Sequence, residues 1–170
     1  MNFFEKKLLA SGFKHISVNC VIEYNSKLLL IERANNPHRG KFCPIGGKLN
    51  AYEAPSEGLI REVNEETGIN LKSFKLFGIM VESSPNEHNW VNFIYYSSFK
   101  SLPELETMNT IEGRLNWVSW YDLENIPLPE TDIHIYRNIR RGQPFIFDVS
   151  FDANNKIKKM GNVLMEQIEV

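Results

Sequence analysis

The sequence predicts a mixed α/β (α+β) fold in which helices accompany several β-strands. Runs of β-branched and apolar residues with strand character recur from Lys14 to the end of the chain. Pro55–Gly68 instead carries apolar residues at helical spacing between a start signal and a stop signal. With 170 residues and 42% hydrophobic content, the chain can bury a sizeable core, so residues 1–170 are expected to form a single domain.

The amino-terminal half begins with a predicted hairpin. HISVNCVIEY and KLLLIER are the strand candidates, and the turn signal Asn25-Ser26 separates them. Ala34–Lys41 contains asparagine, proline and glycine and is predicted to be a loop. After this loop, Gly46 and Gly47 would let the backbone approach a ligand or metal closely, although adjacent glycines also form simple tight turns.

The main helix is predicted to begin at Pro55 and Ser56, because proline suits the first turn and serine caps exposed amide groups. Gly68 would end it by adopting the left-handed conformation. Three apolar residues recur at helical spacing and are expected to face the core: Leu59, Ile60 and Val63.

The carboxy-terminal half alternates strand and helix signals. LKSFKLFGIMVESS and WVNFIYYSSF are strand candidates around a turn, and the second is apolar on both faces, as in an interior strand. Asp132–Ile139 predicts a small amphipathic helix that ends at Gly142. PFIFDVSFD and VLMEQIEV, around the Asn154-Asn155 turn, predict a closing hairpin.

Three glutamates of the main helix, at i, i+3 and i+4, form what we call the glutamate ridge: Glu62, Glu65 and Glu66. Like charges at this spacing repel each other by roughly 0.2–0.5 kcal/mol per pair in an isolated helix. A cation would relieve that repulsion, and Mg²⁺ prefers carboxylate and water oxygens together with substrate phosphates. An isolated E-x-x-E-E pattern would more often be a solvated acidic helix face.

The stretch that contains the ridge, written from Gly47 to Ile69 as G-x5-E-x7-R-E-V-x-E-E-x-G-I, resembles the Nudix box at every defined position. The resemblance implies an αβα sandwich with a mixed central sheet, in which a loop–helix–loop presents metal ligands. It also implies hydrolysis of a diphosphate bond with Mg²⁺, or Mn²⁺ as the alternative cofactor.

By this resemblance, the metal ligands would be the Gly46 carbonyl and the ridge carboxylates, with Glu112 as a further candidate. Glu65 would be the general base, and Glu112 is the competing candidate. Arg61 would pair with Glu53 and orient the catalytic carboxylates. The alternative for Arg61 is a surface ion pair with Glu57, four residues earlier.

A second resemblance involves NTIEGRLNWVSWYDLENIPLP, which is similar to MutT-type enzymes that hydrolyse oxidised purine nucleoside triphosphates. In them, acidic base-reading residues lie in the segment that corresponds to LPETDIH, so Glu130 and Asp132 are the candidates here, and the spacing does not choose between them. Asp132 is also well placed to cap the small helix. Cys43 stands where that group has an amide side chain. Lys48 is compatible with phosphate contact and equally with a solvated lysine.

Composition excludes several other classes of protein. The net charge of −2 offers no basic patch, which disfavours long nucleic acid as a partner, and leaves a small nucleotide substrate. The two cysteines lack zinc-site spacing. No apolar stretch reaches signal-peptide or membrane-span length, so we expect a cytoplasmic protein without membrane contact.

Three functions remain open from the sequence. The first is a MutT-like diphosphatase that converts a nucleoside triphosphate, oxidised purine triphosphates included, into the monophosphate and pyrophosphate. The second is hydrolysis of ADP-ribose or another nucleoside diphosphate derivative, for which Pro85 is a weak indication. The third is a non-catalytic nucleotide sensor, although a sensor is expected to have lost box carboxylates. Cleavage of dinucleoside polyphosphates or RNA 5′ ends also stays open.

Overall fold

The computed structural model describes residues 13–86, 88–105 and 108–164. Within these ranges, nine strands belong to one sheet, and two α-helices and a short 3₁₀ helix accompany it. The strands are β1 His15–Tyr24, β2 Lys27–Arg33, β3 Phe42–Cys43, β4 Ile45–Lys48, β5 Lys75–Ser83, β6 Trp90–Phe99, β7 Gly113–Ser119, β8 Phe145–Phe151 and β9 Ile157–Asn162. The helices are α1 Pro55–Thr67, the 3₁₀ helix Leu123–Asn125, and α2 Asp132–Arg140.

The sheet is mixed, with the strand order β3-β2-β1-β6-β5-β8-β9. In addition, β4 pairs with β1 and β7 pairs with β2, so the sheet is curled around its first two strands. β1 runs parallel to β6, and β5 runs parallel to β8, whereas the other pairs are antiparallel. β6 has a neighbour on each side, which confirms the prediction of an interior strand.

The two helices cover opposite faces of the sheet. Leu59 and Val63 of α1 pack against one face, which includes Cys20 and Ile22 of β1. The other face packs against the apolar residues of α2, and Val21 of β1 belongs to it. Because successive strand residues point to opposite faces, one strand contributes to both cores. The αβα sandwich with a mixed sheet is therefore confirmed.

Helix α1 follows its predicted bounds, with two corrections at the level of side chains. Pro55 occupies the first turn and Gly68 ends the helix at φ 76°, as expected. Ser56, however, does not cap the helix, since the Ala54 N–H at its start donates to Glu57 Oε2 at 3.0 Å. Ile60 is 39% exposed, because it lies at the border of the apolar stripe rather than within it.

The other predicted elements agree with the structure, except at two places. The β1–β2 hairpin, the β5–β6 hairpin and α2 are present. Strand β7 was not predicted, because GRLNWVS buries only Leu115 and Val118 and so has a weak apolar pattern. The closing hairpin pairs β8 with β9, whereas the predicted partner VLMEQIEV begins after β9 and its residues 165–170 lie outside the described ranges.

No helix in the described part of the chain combines the length and the apolar character needed to cross a membrane.

Candidate active site

The glutamate ridge lies where α1 passes over the glycine pair of β4. The N–H of Gly46 donates to Glu66 Oε2 at 3.0 Å. The carboxylate of Glu62 lies so close to Gly47 that a Cβ there would approach it to 2.6 Å. Glu65 instead points outward, with 59% of its side chain exposed. The ridge therefore has two carboxylates against the sheet and one directed to solvent.

Both glycines are required by this packing rather than by a turn. They belong to strand β4, which pairs with β1. Gly46 has φ 150°, and a Cβ there would meet the Val18 carbonyl oxygen at 2.1 Å. Gly47 makes room for Glu62, and because both glycines lie within a strand, the simple tight turn is wrong. The approach of this backbone to a ligand or metal stays a prediction. No contact of the structure tests whether the Gly46 carbonyl binds metal.

Arg61 is the central cation of the site. Its Nε and Nη2 donate to Glu53 Oε1 and Oε2 at 2.7 and 2.8 Å. Its Nη1 donates to Glu62 Oε1 at 2.8 Å and to Glu65 Oε2 at 3.2 Å. Nη2 also donates to the Lys48 carbonyl oxygen at 3.1 Å. One guanidinium thus fixes two ridge carboxylates relative to the loop before the helix.

The Arg61–Glu53 contact expected from the Nudix resemblance is therefore present. The alternative surface pair with Glu57 is wrong, because the Glu57 carboxylate turns back to accept from the start of α1. Hydrogen bonds from Arg61, followed by one from the Asn50 N–H, lower the pKa of Glu53 to about 2. Glu53 is consequently a permanent anion and a firm anchor for the guanidinium.

The pKa values of the two inward ridge carboxylates, Glu62 and Glu66, are raised rather than lowered. Burial raises the pKa of Glu66 to about 8, and the charges of Glu112 and Glu62 add to this effect, against the Gly46 hydrogen bond. Burial also raises the pKa of Glu62, in spite of its bond to Arg61. Burial, with the neighbouring negative charge as a lesser cause, makes the ionised carboxylates costly, and a bound cation would reduce that cost.

Glu112 is brought to the ridge from the loop before β7, since its charge acts on both Glu62 and Glu66. Its Oε2 accepts from Arg33 Nη1 at 2.9 Å, and Arg33 Nε donates to the Pro37 carbonyl oxygen at 2.9 Å. Sequence reasoning missed Arg33. The signal available in the sequence was a cation at the end of a predicted strand, directly before the loop that leads to the glycine pair.

The donor set fits a hard divalent cation such as Mg²⁺. The buried Glu66 carboxylate has one backbone N–H as its hydrogen-bond donor in the described structure, and Glu62 and Glu112 add negative charge beside it. No three acidic, histidine or cysteine side chains of the described residues already converge on one point, and Arg61 holds two of the ridge carboxylates. Mg²⁺ does not require such a cluster, because it keeps waters and uses substrate phosphates as ligands.

The four predicted substrate-binding residues are placed differently from one another. The Lys48 ammonium lies 5.3 Å from the centre of the Trp90 ring, so this contact gives no support to a phosphate role. Glu130 is exposed. Cys43 and Asp132 are both buried. Burial raises the pKa of the Cys43 thiol to about 12, and the charge of the nearby Asp132 adds to this shift.

The helix-cap interpretation of Asp132 is wrong. Thr131 precedes α2 as its cap residue, and no side chain caps the helix by a hydrogen bond. Asp132 Oδ1 instead accepts from Thr131 Oγ1 at 3.3 Å. Burial, followed by the charge of Glu82, raises the pKa of Asp132 to about 7.

Comparison with known proteins agrees with this geometry. The NUDIX domain family model matches residues 13–140. An uncharacterised Nudix hydrolase of Bacillus subtilis, YvcI, is 30% identical over 129 residues, which cover 74% of this chain and 78% of that protein. An ADP-ribose pyrophosphatase of Methanocaldococcus jannaschii is 41% identical over 71 residues, covering 42% of this chain and 41% of the relative. An 8-oxo-dGTP diphosphatase of Proteus vulgaris is 27% identical over 88 residues, covering 51% of this chain and 79% of the relative.

Among solved structures, a MutT protein of Bacillus halodurans superimposes with a TM-score of 0.77 and 22% identity, covering 89% of this chain and 99% of that one. At this identity, the likeness concerns the fold alone. The family model, by contrast, spans the whole site from β1 to α2. The chain therefore belongs to the Nudix hydrolase family, whose members act on pyrophosphate bonds.

Proposed function

We propose that this Nudix hydrolase converts a nucleoside triphosphate into the monophosphate and pyrophosphate, with Mg²⁺ or Mn²⁺ as cofactor. The observation that carries the proposal is the site around Arg61, where buried carboxylates face the glycine pair and one exposed carboxylate remains beside them. Such a site can hold a diphosphate through a bound metal. Without a metal, the carboxylates would repel the diphosphate. The complete set of box carboxylates also argues against a non-catalytic sensor.

Glu62, Glu66 and the Gly46 carbonyl would hold the metal, with Glu112 joining from the loop before β7. A bound divalent ion would neutralise the diphosphate oxygens and lower the pKa of an attacking water. Arg61 keeps the ridge in place during this reaction by its bonds to Glu53. Arg33, paired with Glu112, supplies positive charge beside the ridge.

Glu65 is the proposed general base. It is the most exposed member of the ridge, and its bond to Arg61 is the longest of the four that join this guanidinium to carboxylates. A carboxylate that is less firmly held can take a proton from water more readily than Glu66, which packs against the sheet. Glu112 is the competing base, but its Oε2 is paired with Arg33.

The second candidate substrate class is ADP-ribose or a related nucleoside diphosphate derivative. It is favoured by the relative that is named as an ADP-ribose pyrophosphatase, whose 41% identity is restricted to 71 residues. The 8-oxo-dGTP diphosphatase relative is matched over 79% of its own length, and this broader similarity favours triphosphates. The cytoplasmic location expected from the composition is part of the same proposal.

Product analysis distinguishes the candidates. The protein with Mg²⁺ should be incubated separately with GTP, ATP, 8-oxo-dGTP and ADP-ribose, and the products separated by anion-exchange chromatography. The proposal expects a nucleoside monophosphate and pyrophosphate from at least one triphosphate. Release of orthophosphate with a nucleoside diphosphate would place the attack at a different bond. Turnover of ADP-ribose with inert triphosphates would establish the second candidate instead.

A further inference from the structure

On the α1 side of the sheet, an apolar surface continues beyond the core that α1 covers. Helix α1 packs chiefly on β1 and β4, and α2 packs against the opposite face. Along β5 and β8, the residues of this surface alternate with those of the α2 core, so they point to the α1 side. Six apolar residues form the surface, which we call the open face, and none of them belongs to either hydrophobic core of the described residues: Ile16, Ile79, Val81, Val91, Ile146 and Val163.

The open face is continuous, because its residues are neighbours in the strand register. Ile16 pairs with Val91, and Val91 pairs with Val81. In the adjacent row, Ile79 pairs with Ile146. Ile16, at the β1 end of the face, is 46% exposed. Single exposed apolar residues are ordinary, whereas a contiguous apolar patch is typical of a surface that another protein segment covers.

A cavity of about 320 Å³ lies on the open face, over β5, β8 and β9. Val81 and Val163 contribute to its lining, together with two exposed side chains of opposite charge, Asp148 and Lys159. Neither charge has an ion-pair partner among the described residues. Because Asp148 would repel a polyanion, this groove of apolar residues and mixed charges is suited to an amphipathic protein segment.

The open face exists because the chain continues beyond the part that matches the Nudix family. The family model covers residues 13–140, and β8 and β9 follow that range. Since β8 pairs with β5, the added hairpin widens the sheet by two strands. Residues 1–12, which lie outside the described ranges, precede the family match. The sequence thus has one addition on each side of the family domain, and the two can complement each other.

The sequence of residues 1–12, MNFFEKKLLASG, predicts a short amphipathic helix. Asn2 followed three residues later by Glu5 is a helix start signal, and Gly12 is a stop signal. Phe4 and Leu8, at i and i+4, would share one side of this helix. Such a helix has an apolar stripe that requires a partner surface.

The described chain begins at the edge of the open face. Lys14 lies two residues before Ile16, and its Nζ donates to the Glu82 carbonyl oxygen and to Ser83 Oγ, each at 2.7 Å. Ser83 also lines the cavity. A helix of about nine residues is about 13 Å long, and the three strand spacings from β6 to β9 amount to about 14 Å. The segment that precedes Lys14 therefore starts beside the cavity and has the length to cross it.

We propose that residues 1–12 form an amphipathic helix that docks on the open face, with Phe4 and Leu8 against its apolar rows. Charges of both signs flank these two residues in the sequence, and the open face offers Asp148 and Lys159 as opposite charges. A second copy of the chain fits less well, because a stable interface buries about 800 Å² on each partner, whereas the two apolar rows span about 14 Å by 7 Å. Docking of this segment is independent of the reaction, so every test uses the protein without nucleotide.

Photo-crosslinking locates the segment directly. The photo-reactive amino acid benzoylphenylalanine is placed at position 8 of the full chain, the protein is irradiated, and the linked peptides are identified by mass spectrometry. Links within one chain to the peptides that carry Ile79 or Ile146 are expected. The matched control has the same probe at position 6, on the opposite side of the predicted helix, and these links should be lost there.

Thermal stability tests the same contact without a probe. Phe4→Ser combined with Leu8→Ser removes the apolar stripe, so the melting temperature should fall by about 4–12 °C. Binding of the dye ANS should increase, because the open face loses its cover. Lys6→Ser, on the other side of the predicted helix, is the control and should change neither. Ile79→Ala should lower the melting temperature less in the Phe4 and Leu8 variant than in the unchanged protein, since residues in contact are not additive.

Three results would overturn the assignment. Position 8 could link to peptides other than those of the open face, or the stripe variant could keep its melting temperature and its low ANS binding. Crosslinked dimers on a denaturing gel, with a dimer mass by light scattering, would assign the open face to a second copy. A probe at position 168 that reaches the open face when position 8 does not would assign it to residues 165–170.

Discussion

Asp132→Asn should stabilise the protein at neutral and alkaline pH. The Asp132 carboxyl is buried, and burial, followed by the charge of Glu82, raises its pKa from the ordinary 3.8 to about 7, against the Thr131 hydrogen bond and the charge of Lys41. The charge of Asp132 in turn acts on Cys43 and Tyr136. A raised folded-state pKa means that the neutral form fits the fold, so this contribution to stability is complete below pH 3.8 and is lost as the pH rises through the folded-state pKa of about 7.

The magnitude follows from the size of that shift. At about 1.36 kcal/mol per pKa unit, ionising Asp132 in the folded protein costs on the order of 4 kcal/mol above pH 7. Asparagine keeps the shape of the side chain and stays neutral. The unfolding free energy of Asp132→Asn minus that of the unchanged protein should therefore be about 3 kcal/mol larger at pH 8 than at pH 5.

Urea denaturation of both proteins at pH 5 and pH 8 measures this difference. Glu130→Gln, which alters an exposed carboxylate two residues earlier, is the control and should show no comparable gain. Loss of stability in Asp132→Asn at both pH values is the pattern of a lost helix cap and would refute the reasoning. A gain that does not vary with pH would also refute it.

Three further predictions concern the ridge and the glycine pair. Glu65→Gln should lower kcat about 10²–10⁴-fold with Mg²⁺ present while the melting temperature stays within a few degrees, and near-normal turnover would remove Glu65 from the chemistry. Arg61→Lys cannot bridge Glu53 and the ridge with one planar group, so activity should fall about 10- to 100-fold, and full activity would show that the network is only structural. Gly47→Ala should impair activity without unfolding, because its Cβ meets only the movable Glu62 side chain, whereas Gly46→Ala should destabilise by about 1–3 kcal/mol, because its Cβ meets backbone. Melting curves and turnover of the two alanine variants test this pair, and equal stability of both would contradict it.

The fold was predictable where local signals agree with tertiary packing. Pro55 and Gly68 define α1, and the Asn25-Ser26 turn defines the first hairpin, in which both turn residues have positive φ. Strand β7 was missed because it derives its stability from pairing with β2 along its full length rather than from an apolar run. Periodicity within one segment does not contain such information, since the partner strand is distant in sequence.

The site was predictable only in part. The box spacing identifies the ridge, and it led to the Arg61–Glu53 contact through the Nudix resemblance. Glu57 shows why spacing alone is insufficient. Its carboxylate could accept a hydrogen bond either from Arg61 or from the start of its own helix, and in the structure it accepts from the Ala54 N–H at the helix start. Arg33 and Glu112 belong to separate elements and meet only when the sheet curls so that β7 pairs with β2. Tyr136 is buried only when α2 packs on that sheet.

Cys43 lies between the glutamate ridge and Asp132, the residue that the sequence resemblance associates with the base. Its thiol experiences the charge of Asp132 from α2 and also that of Glu66 from α1, although the two helices cover opposite faces of the sheet. Cys43 lies on β3, which ends the strand order, pairs with β2, and donates from the Phe42 N–H to the Pro127 carbonyl oxygen at 2.8 Å. A substrate whose phosphates reached the ridge and whose base reached Asp132 would therefore pass close to Cys43. A ligand that lacks either the base or the phosphates could then reach only the ridge or only Asp132, which is why the proposed substrate is a nucleotide rather than an inorganic polyphosphate or a free base.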